Sequence, residues 1–285
     1  MFEQLKTICI ITITAILVGC CNNEYNISSL KKINNKIKDT TISNIELVYV
    51  PKGSFKYGIN CEERLINYDF WIGKYEITNL QYYNFLIDAK RNKFITIKDG
   101  KVLYKFQGDS IVRAGYYNVK MWDEGIYLLN DSIKLNHKLA KHPVVRVTWY
   151  GCLAFCNFYG FNLPKETEWE KAARGNECRN FPWGDKIDST YANYLNSNDP
   201  FEPGTTPVGF YNGQIRNSFK TSNSRSFYGC YDMSGNSWEW VEDYYENGKV
   251  PFHKGKGGGY NYHFPAFLQI YYVSIYGPFK RPPLD

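Results

Sequence analysis

From Gly175 to its end, the chain is dominated by Gly, Pro, Asn, Ser and aromatic residues and shows no sustained helical periodicity. Regular helix and sheet ladders alone therefore cannot satisfy the backbone N–H and C=O groups that such a stretch buries. Aromatic rings can hold irregular backbone in place, and the chain has 25 Tyr, 18 Phe and 7 Trp. A hard cation such as Ca²⁺ also accepts backbone carbonyls as ligands. These features predict a loop-rich globular fold.

The overall charge and the cysteine and histidine spacings argue against several classes of function. Lys and Arg number 34 and Asp and Glu number 28, which gives a net charge of +6. This excess is mild and dispersed, so we expect no nucleic-acid partner. The four histidines share no two-His spacing on one helix face, and no Cys-x-x-Cys sequence occurs. The pattern disfavours a histidine metal site, a zinc ribbon and a thioredoxin-like site.

Residues 1–19 have the pattern of a bacterial lipoprotein signal peptide. Lys6 precedes an apolar run over residues 7–19 that is short for a membrane span. The run ends in Leu-Val-Gly before Cys20, which resembles the lipobox whose cysteine thiol is lipid-modified. The alternative is an uncleaved N-terminal anchor, and either way the body lies outside the cytoplasm. We therefore expect lipidation at Cys20 and a location at the cell membrane or outer membrane, facing the periplasm or exterior.

The remainder of the chain divides into a linker and one domain. Residues 20–44 are rich in Asn, Lys, Ser and Thr and are interpreted as a polar tether to a domain at 45–285. Thr78 and Thr148 are suitable N-caps, and Gly175 is a suitable helix stop. With the apolar periodicity, these signals predict three helices. The predicted helices cover residues 79–90, 149–159 and 165–174.

Other segments read as strands. Residues 46–58 contain two strand-like runs joined by a Pro-x-Gly turn, which predicts a β-hairpin. Residues 68–77 and 144–147 are also strand-like. Residues 91–141 lack clear periodicity and predict an insertion of loops and short strands.

Three blocks of sequence, in order, carry a family resemblance. They are residues 142–175, residues 181–185 and residues 229–243. The first block ends in Leu-Pro-Lys-Glu-Thr-Glu-Trp-Glu-Lys-Ala-Ala-Arg-Gly, and the third contains Met-Ser-Gly-Asn-Ser-Trp-Glu-Trp. Together they closely resemble the sulfatase-modifying-factor family, whose named member is the formylglycine-generating enzyme. The resemblance covers roughly residues 45–285, and it implies a single α+β domain with a C-type-lectin-like core, a small antiparallel sheet, about three helices and much irregular structure.

The resemblance also implies an activity whose key residues differ here. Formylglycine-generating enzymes oxidise a cysteine of a client sulfatase to an aldehyde, using oxygen and copper held by a cysteine pair. In this chain the two cysteine positions fall on Tyr262 and Phe267, and a preceding serine position falls on Gly259. Cu(I) prefers thiolate ligands, which neither ring supplies. We therefore expect no copper, no catalytic residue and no oxidase activity.

The pairing of the body cysteines stays open. Cys152 and Cys156 lie four apart on a predicted helix, where a disulfide is awkward and buried thiols are the simpler interpretation. The family often pairs the position of Cys156 with a cysteine in a closing Gly-Phe-Arg-Cys segment. This chain reaches Asp285 without that segment, so we expect either a truncated product or the loss of a final strand.

The resemblance further implies two calcium sites built from oxygen ligands, and such ligands at loop positions suit Ca²⁺. The residues corresponding to the first site are Asn193, Tyr194, Asp199 and Phe201, with a shortened connection between them. The residues corresponding to the second site are Asp232, Gly235, Ser237 and Glu239. The alternative is that Asp232 and Glu239 merely cap turns.

The leading functional hypothesis is a membrane-anchored extracytoplasmic lipoprotein whose domain serves as a binding or structural module. The expected recognition surface begins with Tyr260, Asn261, Tyr262 and His263, since aromatic residues offer large contact area at low ordering cost. The expected partners are the membrane, through the lipid, and a protein or glycan ligand. One alternative is a ligand-binding lipoprotein diversified by a retroelement. The rival is an enzyme, either a formylglycine-generating oxidase or a related oxygen-dependent metal enzyme.

Overall fold

The computed structural model describes residues 7–8, 45–106, 110–113, 125–216, 218–247, 250–263 and 265–276. Cys20, the expected tether and most of the expected signal peptide lie outside these residues. The chain end after residue 276, where we expect a truncation or a lost strand, also lies outside them. Within the described ranges, no helix combines the length and apolarity needed to cross a bilayer.

The three predicted helices are confirmed to within one residue at each end. In the described part of the chain they are α1 at Asn79–Arg91, α2 at Trp149–Tyr159 and α3 at Glu166–Arg174. Thr78 and Gln81 form a capping box at the start of α1, in which each side chain accepts the other residue's backbone N–H. The Thr148 side chain accepts from Gly151 N–H at the start of α2. Gly160 ends that helix with φ 77°.

The strands are short and belong to several small sheets. In chain order they are β1 Thr7–Ile8, β2 Leu47–Val50, β3 Gly53–Tyr57, β4 Glu62–Ile66, β5 Phe70–Gly73, β6 Ile95–Lys98, β7 Lys101–Phe106, β8 Ser110–Arg113, β9 Ile126–Leu129, β10 Ser132–Leu135, β11 Ile215–Arg216, β12 Phe219–Lys220, β13 Glu239–Asn247, β14 Val250–Lys256 and β15 Ser274–Tyr276. Their orders are β1-β5-β2, β3-β4, β6-β7-β8, β9-β10, β11-β12 and β13-β14-β15. Among these pairings, β1 with β5 is parallel and the others are antiparallel. The predicted α+β class with small antiparallel sheets is confirmed.

The predicted β-hairpin over residues 46–58 is wrong. β2 pairs with β5, whereas β3 pairs with β4. β3 begins at Gly53, whose φ of 138° accompanies the entry of the chain into a different sheet. Both runs are strands as predicted, but the partner of β2 lies some twenty residues further along the chain, where a local pattern cannot specify it.

The strand predicted at residues 144–147 is also wrong. Arg146 has φ 62°, which is incompatible with extended backbone. Val144 N–H instead donates to the Ile77 carbonyl at 2.9 Å, just before α1. Val144 and Val147 are nevertheless buried, which explains the strand-like apolar pattern.

Two further expectations concern the first half of the domain. The strand predicted at residues 68–77 is shorter than expected, because β5 ends at Gly73. The insertion predicted at residues 91–141 contains the short strands β6 to β10 within its described part. The expected mixture of loops and short strands is therefore confirmed there.

Buried apolar residues form two clusters in the described ranges. One surrounds α1 and α2 and includes Phe85 and Phe155, and the other surrounds α3 and includes Trp169. β13 joins them, because successive side chains of a strand point to opposite faces. Trp240 lies in the first cluster and Val241 in the second. The loop that precedes β13 therefore lies where the two clusters meet.

One disulfide connects distant parts of the fold. Cys61, in the β3–β4 turn, pairs with Cys178, which follows α3, with their Cα atoms 5.6 Å apart. This pair was not predicted from the sequence, because its two members are 117 residues apart. Cys152, Cys156 and Cys230 are buried and lie outside this disulfide, which agrees with the buried-thiol interpretation of the first two. Burial raises the pKa of all three thiols, so none is a ready thiolate at neutral pH.

Candidate functional site

The loop that leads into β13 is held in an unusual backbone conformation. Asp232, Gly235 and Asn236 have φ values of 60°, 85° and 58°. Glycine is required at position 235, because a Cβ there would lie 2.3 Å from the Asn193 carbonyl oxygen. This close approach accompanies a hydrogen bond of 2.8 Å from Asn236 N–H to the same carbonyl. The loop thereby joins the two segments for which the resemblance implies calcium.

Three carboxylates are buried around this loop. Glu76, Asp232 and Glu239 are 1%, 4% and 0% exposed. Burial, together with the charges of Asp232 and Glu239, raises the pKa of Glu76 well above its ordinary value. Burial raises the pKa of Asp232 to about 7, although the Gly209 N–H opposes the shift. Burial also raises the pKa of Glu239, and the charge of Asp232 adds to it. The charged forms of these three acids therefore lack compensation within the protein.

Each glutamate of this group has one bonded and one unbonded oxygen. Asn236 Nδ2 donates to Glu76 Oε2 at 2.6 Å, and Trp169 Nε1 donates to Glu239 Oε2 at 2.6 Å. Oε1 of Glu76 and Oε1 of Glu239 are buried and have no hydrogen-bond partner. A buried carboxylate oxygen of this kind is costly unless a partner group pairs with it.

Carboxylate and carbonyl oxygens are the ligand type that a hard cation takes. Of the residues implied for the second calcium site, the structure brings Asp232 and Glu239 into one buried region, while the Gly235 carbonyl accepts Ser237 N–H at 2.6 Å. It also adds Glu76, which was not predicted from the sequence and whose signal was a single acid between Tyr75 and Ile77 before α1. No three His, Cys, Asp or Glu side chains converge as a complete ligand set in the described ranges. Backbone carbonyls would therefore have to complete a cation site here.

The residues implied for the first calcium site are already bonded to protein groups. Asp199 accepts from the Ser197 hydroxyl and from Phe201 N–H, both at 2.8 Å. The carbonyls of Tyr194 and Phe201 each accept a backbone N–H at 2.9 Å. The Asn193 side-chain amide donates to a backbone carbonyl at 2.9 Å. Unpartnered oxygens are thus a property of the second region rather than of this loop.

Aromatic rings occupy the two positions at which the resemblance implies cysteines. The ring centroids of Tyr262 and Phe267 are 5.5 Å apart, and that of Tyr262 is 5.3 Å from Trp238. Tyr272 and Tyr276 lie 6.0 and 6.1 Å from Trp238. We call these five residues the aromatic cluster. Trp238 is buried and its Nε1 has no hydrogen-bond partner, so the cluster is apolar apart from one orphaned donor and the tyrosine hydroxyls.

The expected binding surface follows a tight turn. Gly258 has φ 80°, and a Cβ there would lie 2.3 Å from Leu268 Cδ2. The expected surface residues are Tyr260, Asn261 and Tyr262, which are half-buried, and His263, which is exposed. His263 Nδ1 lies 3.4 Å from Asn196 Nδ2. The surface therefore adjoins the loop of the first implied calcium site.

A pocket of about 290 Å³ lies beside Tyr260. Its walls include the cationic side chains Lys138 and Arg146 and the aromatic rings of Phe201 and Tyr260. His142 also lines it, and burial lowers the pKa of this histidine to about 4, so it is neutral at physiological pH. Phe201 and Tyr260 were predicted as site residues for separate reasons. The pocket itself was not predicted, because its lining residues are far apart in the chain.

A family model described as sulfatase-modifying factor enzyme 1-like domain matches residues 34–280. Serine/threonine-protein kinase pkn1 of Chlamydia caviae is 29% identical over 214 residues, which are 70% of this chain and 28% of that protein. Formylglycine-generating enzyme of Mus musculus is 36% identical over 110 residues, 37% of this chain and 28% of that protein. Inactive C-alpha-formylglycine-generating enzyme 2 of Bos taurus is 37% identical over 105 residues, 36% of this chain and 34% of that protein. The matched parts span about a third or less of each relative.

Two solved structures are similar in fold. CarF gives a TM-score of 0.52 at 19% identity and covers 83% of this chain and 94% of its own. Treponema denticola variable protein 1 gives a TM-score of 0.51 at 16% identity and covers 83% of this chain and 91% of its own. At these identities the likeness concerns the fold alone.

Proposed function

The chain belongs to the sulfatase-modifying factor enzyme 1-like domain family, and from this membership we propose that it is a binding module without the oxidase chemistry of formylglycine-generating enzymes. Its relatives include a formylglycine-generating enzyme and a protein named as an inactive one. Membership by itself is therefore compatible with either catalysis or binding, and the residues of this chain must distinguish them.

The aromatic cluster is the observation that carries the proposal. An oxidase that holds Cu(I) needs two soft ligands, and the rings of Tyr262 and Phe267 offer none. The other cysteines of the described ranges cannot substitute, because Cys152 and Cys156 are buried on α2 and Cys230 is buried before Asp232. Packed rings at this place favour a stable surface over a reactive centre.

We place the recognition site at residues 260–263 and the adjoining pocket. Rings such as Phe201 and Tyr260 supply rigid apolar contact area. Lys138 and Arg146 line the same pocket and give it positive charge. The combination suits a protein or glycan ligand that presents an acidic group beside an apolar face.

We also propose that Ca²⁺ orders the loop before β13. The unbonded oxygens of Glu76 and Glu239 and the raised pKa values of the three buried carboxylates support this proposal. A divalent cation would compensate their charge and fix the loop that carries Trp238. Calcium would then act on the binding surface through the aromatic cluster.

Lipid on Cys20 and the tether at residues 20–44 complete the proposal. A lipid chain would hold the domain at the cell membrane or outer membrane, facing the periplasm or exterior. Metabolic labelling with a palmitate analogue tests this step, since a Cys20→Ser variant should lose the label and a Cys21→Ser variant should keep it. Equal labelling of both variants would contradict the assignment.

An aldehyde assay tests the absence of oxidase chemistry. The purified chain is incubated in air with copper, a thiol reductant that supplies the two further electrons, and a peptide containing Cys-x-Pro-x-Arg, and the aldehyde is captured with a hydrazide. We expect no product above a reaction without protein, while mouse formylglycine-generating enzyme serves as the positive control. Product formed by this chain would overturn the proposal in favour of the enzyme.

Binding is tested with matched pairs of variants. Tyr260→Ala and Lys138→Ala should each weaken capture of a ligand identified from glycan arrays or envelope extracts. The matched controls are Tyr245→Ala, a tyrosine 55% exposed on β13, and Lys134→Ala, an exposed lysine on β10. Equal capture by all four variants would remove the site, provided that all four melt like the parent chain.

A further inference from the structure

A second cavity, of about 370 Å³, lies between β3 and α3. It shares no lining residue with the pocket beside Tyr260. Its lining includes three lysines, Lys52, Lys56 and Lys171, and a single acidic residue, Glu63. No residue of the proposed binding or calcium sites lines it, so the proposed function does not explain this concentration of positive charge.

Lys171 forms the buried part of the cavity wall. Its side chain is on α3, the residue is 1% exposed, and its Nζ donates to the Gly53 carbonyl at 2.8 Å. An ammonium group has three N–H donors, so this bond leaves further donor capacity. Burial lowers the pKa of Lys171 to about 8, although the charge of Asp69 opposes the shift. The charged form of Lys171 is therefore under-compensated in the protein alone.

The other charges around the cavity do not cancel this excess. Lys56 Nζ lies 3.8 Å from Glu63 Oε2, and the Glu63 side chain is 67% exposed, so this pair is weak and solvent-screened. Lys52 is exposed. The C-terminal end of α3 is nearby and disfavours an anion, but its partial negative charge is smaller than the charge of the ammonium groups. The cavity thus keeps a positive potential.

From these contacts we propose that the cavity binds a sulfate or phosphate group, with Lys171 as its buried cationic anchor and Lys52 and Lys56 at its mouth. The lining has no arginine, so anion recognition here would depend on ammonium groups. Separate ammonium groups act as point charges and suit a tetrahedral anion approached from several sides. The volume exceeds that of the free anion, which leaves room for the organic part of an ester.

Calorimetric titration with inorganic sulfate at constant ionic strength tests this site. We expect saturable binding of one sulfate per chain, and glycerol 3-phosphate as a second probe distinguishes an ester from the free anion. Lys171→Met should weaken sulfate binding by about tenfold or more, and Lys52→Ala by a smaller factor. The charge-matched control Lys134→Ala should bind like the parent chain. Sulfate keeps its charge across neutral pH, so its affinity should fall as pH rises above about 8, where Lys171 loses its proton.

A measurement on the unmodified chain tests the site even if the Lys171→Met variant does not fold. Sulfate should raise the pKa of the Lys171 ammonium group, followed through its ¹⁵Nζ resonance, and sodium chloride at equal ionic strength should not. The proposal is overturned if the parent chain shows no saturable binding, if Lys171→Met and Lys52→Ala both bind as the parent does, or if sulfate leaves the Lys171 resonance unchanged. These outcomes do not bear on the aldehyde and capture assays.

Discussion

Buried acids lie on both sides of Trp169, and the two sides compensate their charges differently. On the α3 side, Glu166 lies 2.6 Å from Lys254 Nζ and 3.8 Å from Lys256 Nζ. Burial alone would raise the pKa of Glu166, but these lysines lower it. On the β13 side, Glu239 accepts the Trp169 N–H on one oxygen and has no partner on the other, and its pKa is raised.

Burial of an acid therefore does not by itself indicate a functional site. The α3 side is a structural ion network that the chain completes with its own cations. On the β13 side, no Lys or Arg of the described ranges forms an ion pair with the three acids, and under our proposal an external cation would compensate them. Trp169 separates the two, with Lys256 Nζ 5.3 Å from its ring centroid and its N–H bonded to Glu239.

The largest expected effect comes from removing the buried cation of the paired side. Lys256→Met leaves Glu166 and Glu170 buried without it, and we expect a loss of about 3–5 kcal/mol in the free energy of unfolding. Urea unfolding measures this loss, and the exposed Lys134→Met should change stability by about 0.5 kcal/mol or less. A small loss for Lys256→Met would mean that the two sides do not differ as described.

A pH series tests the unpaired side. Because the folded-state pKa of Asp232 is about 7 against an ordinary 3.8, the folded protein binds this proton more tightly than the unfolded chain. Its contribution to stability is therefore lost as pH rises from about 4 towards 7. In the presence of a chelator, the free energy of unfolding of Asp232→Asn relative to the parent chain should rise by up to about 4 kcal/mol across this window. Urea unfolding at each pH measures this difference.

The matched control for that series is Asp99→Asn, because Asp99 is exposed. Its stability relative to the parent should stay constant with pH. A constant difference for Asp232→Asn as well would contradict the assignment of a buried, uncompensated carboxylate at that position.

Calcium should stabilise the unpaired side and leave the paired side unaffected. At a concentration of about 100 times its Kd, a bound cation adds about 2.7 kcal/mol, which calorimetric melting with calcium and with chelator would detect. Glu239→Gln should lose this response, whereas Glu62→Gln, whose side chain is 59% exposed, should keep it. An unchanged melting temperature of the parent chain would remove the calcium proposal without affecting that of the binding surface.

The smallest expected effect concerns the outer lysine of the paired side. The Lys254 side chain is 26% exposed, so water replaces part of its interaction, and Lys254→Met should cost about 1 kcal/mol or less. Urea unfolding beside Lys256→Met gives the ratio of the two losses. Equal losses in the free energy of unfolding for the two variants would show that the burial of Lys256 does not explain its contribution to the stability of the paired side.

Local signals predicted the helices well. Thr78, Thr148 and Gly175 act over one turn of chain, and the helices they bound lie where predicted. The same kind of local signal failed at residues 144–147, because buried valines can belong either to a strand or to an irregular segment. Arg146 has a positive φ, which is uncommon for a residue other than glycine and which the local residue pattern does not specify.

The candidate site was predictable in part. Asp232 and Glu239 were named from the family resemblance, and the structure brings both beside the same loop. Glu76 was not predicted, because its connection to the site is a hydrogen bond from Asn236, a residue 160 positions away that no local pattern links to it. The Cys61–Cys178 pair and the pocket beside Tyr260 were missed for the same reason.

The sequence by itself determined the helices, the loop-rich α+β class and the absence of soft ligands at residues 262 and 267, since these follow from residue type and short-range spacing. Tertiary structure alone decided which strand pairs with β2, which acids on either side of Trp169 are compensated and which lysines share a cavity. Those properties depend on distances between residues remote in the chain, and the free energy of a buried charge depends on its neighbours in space.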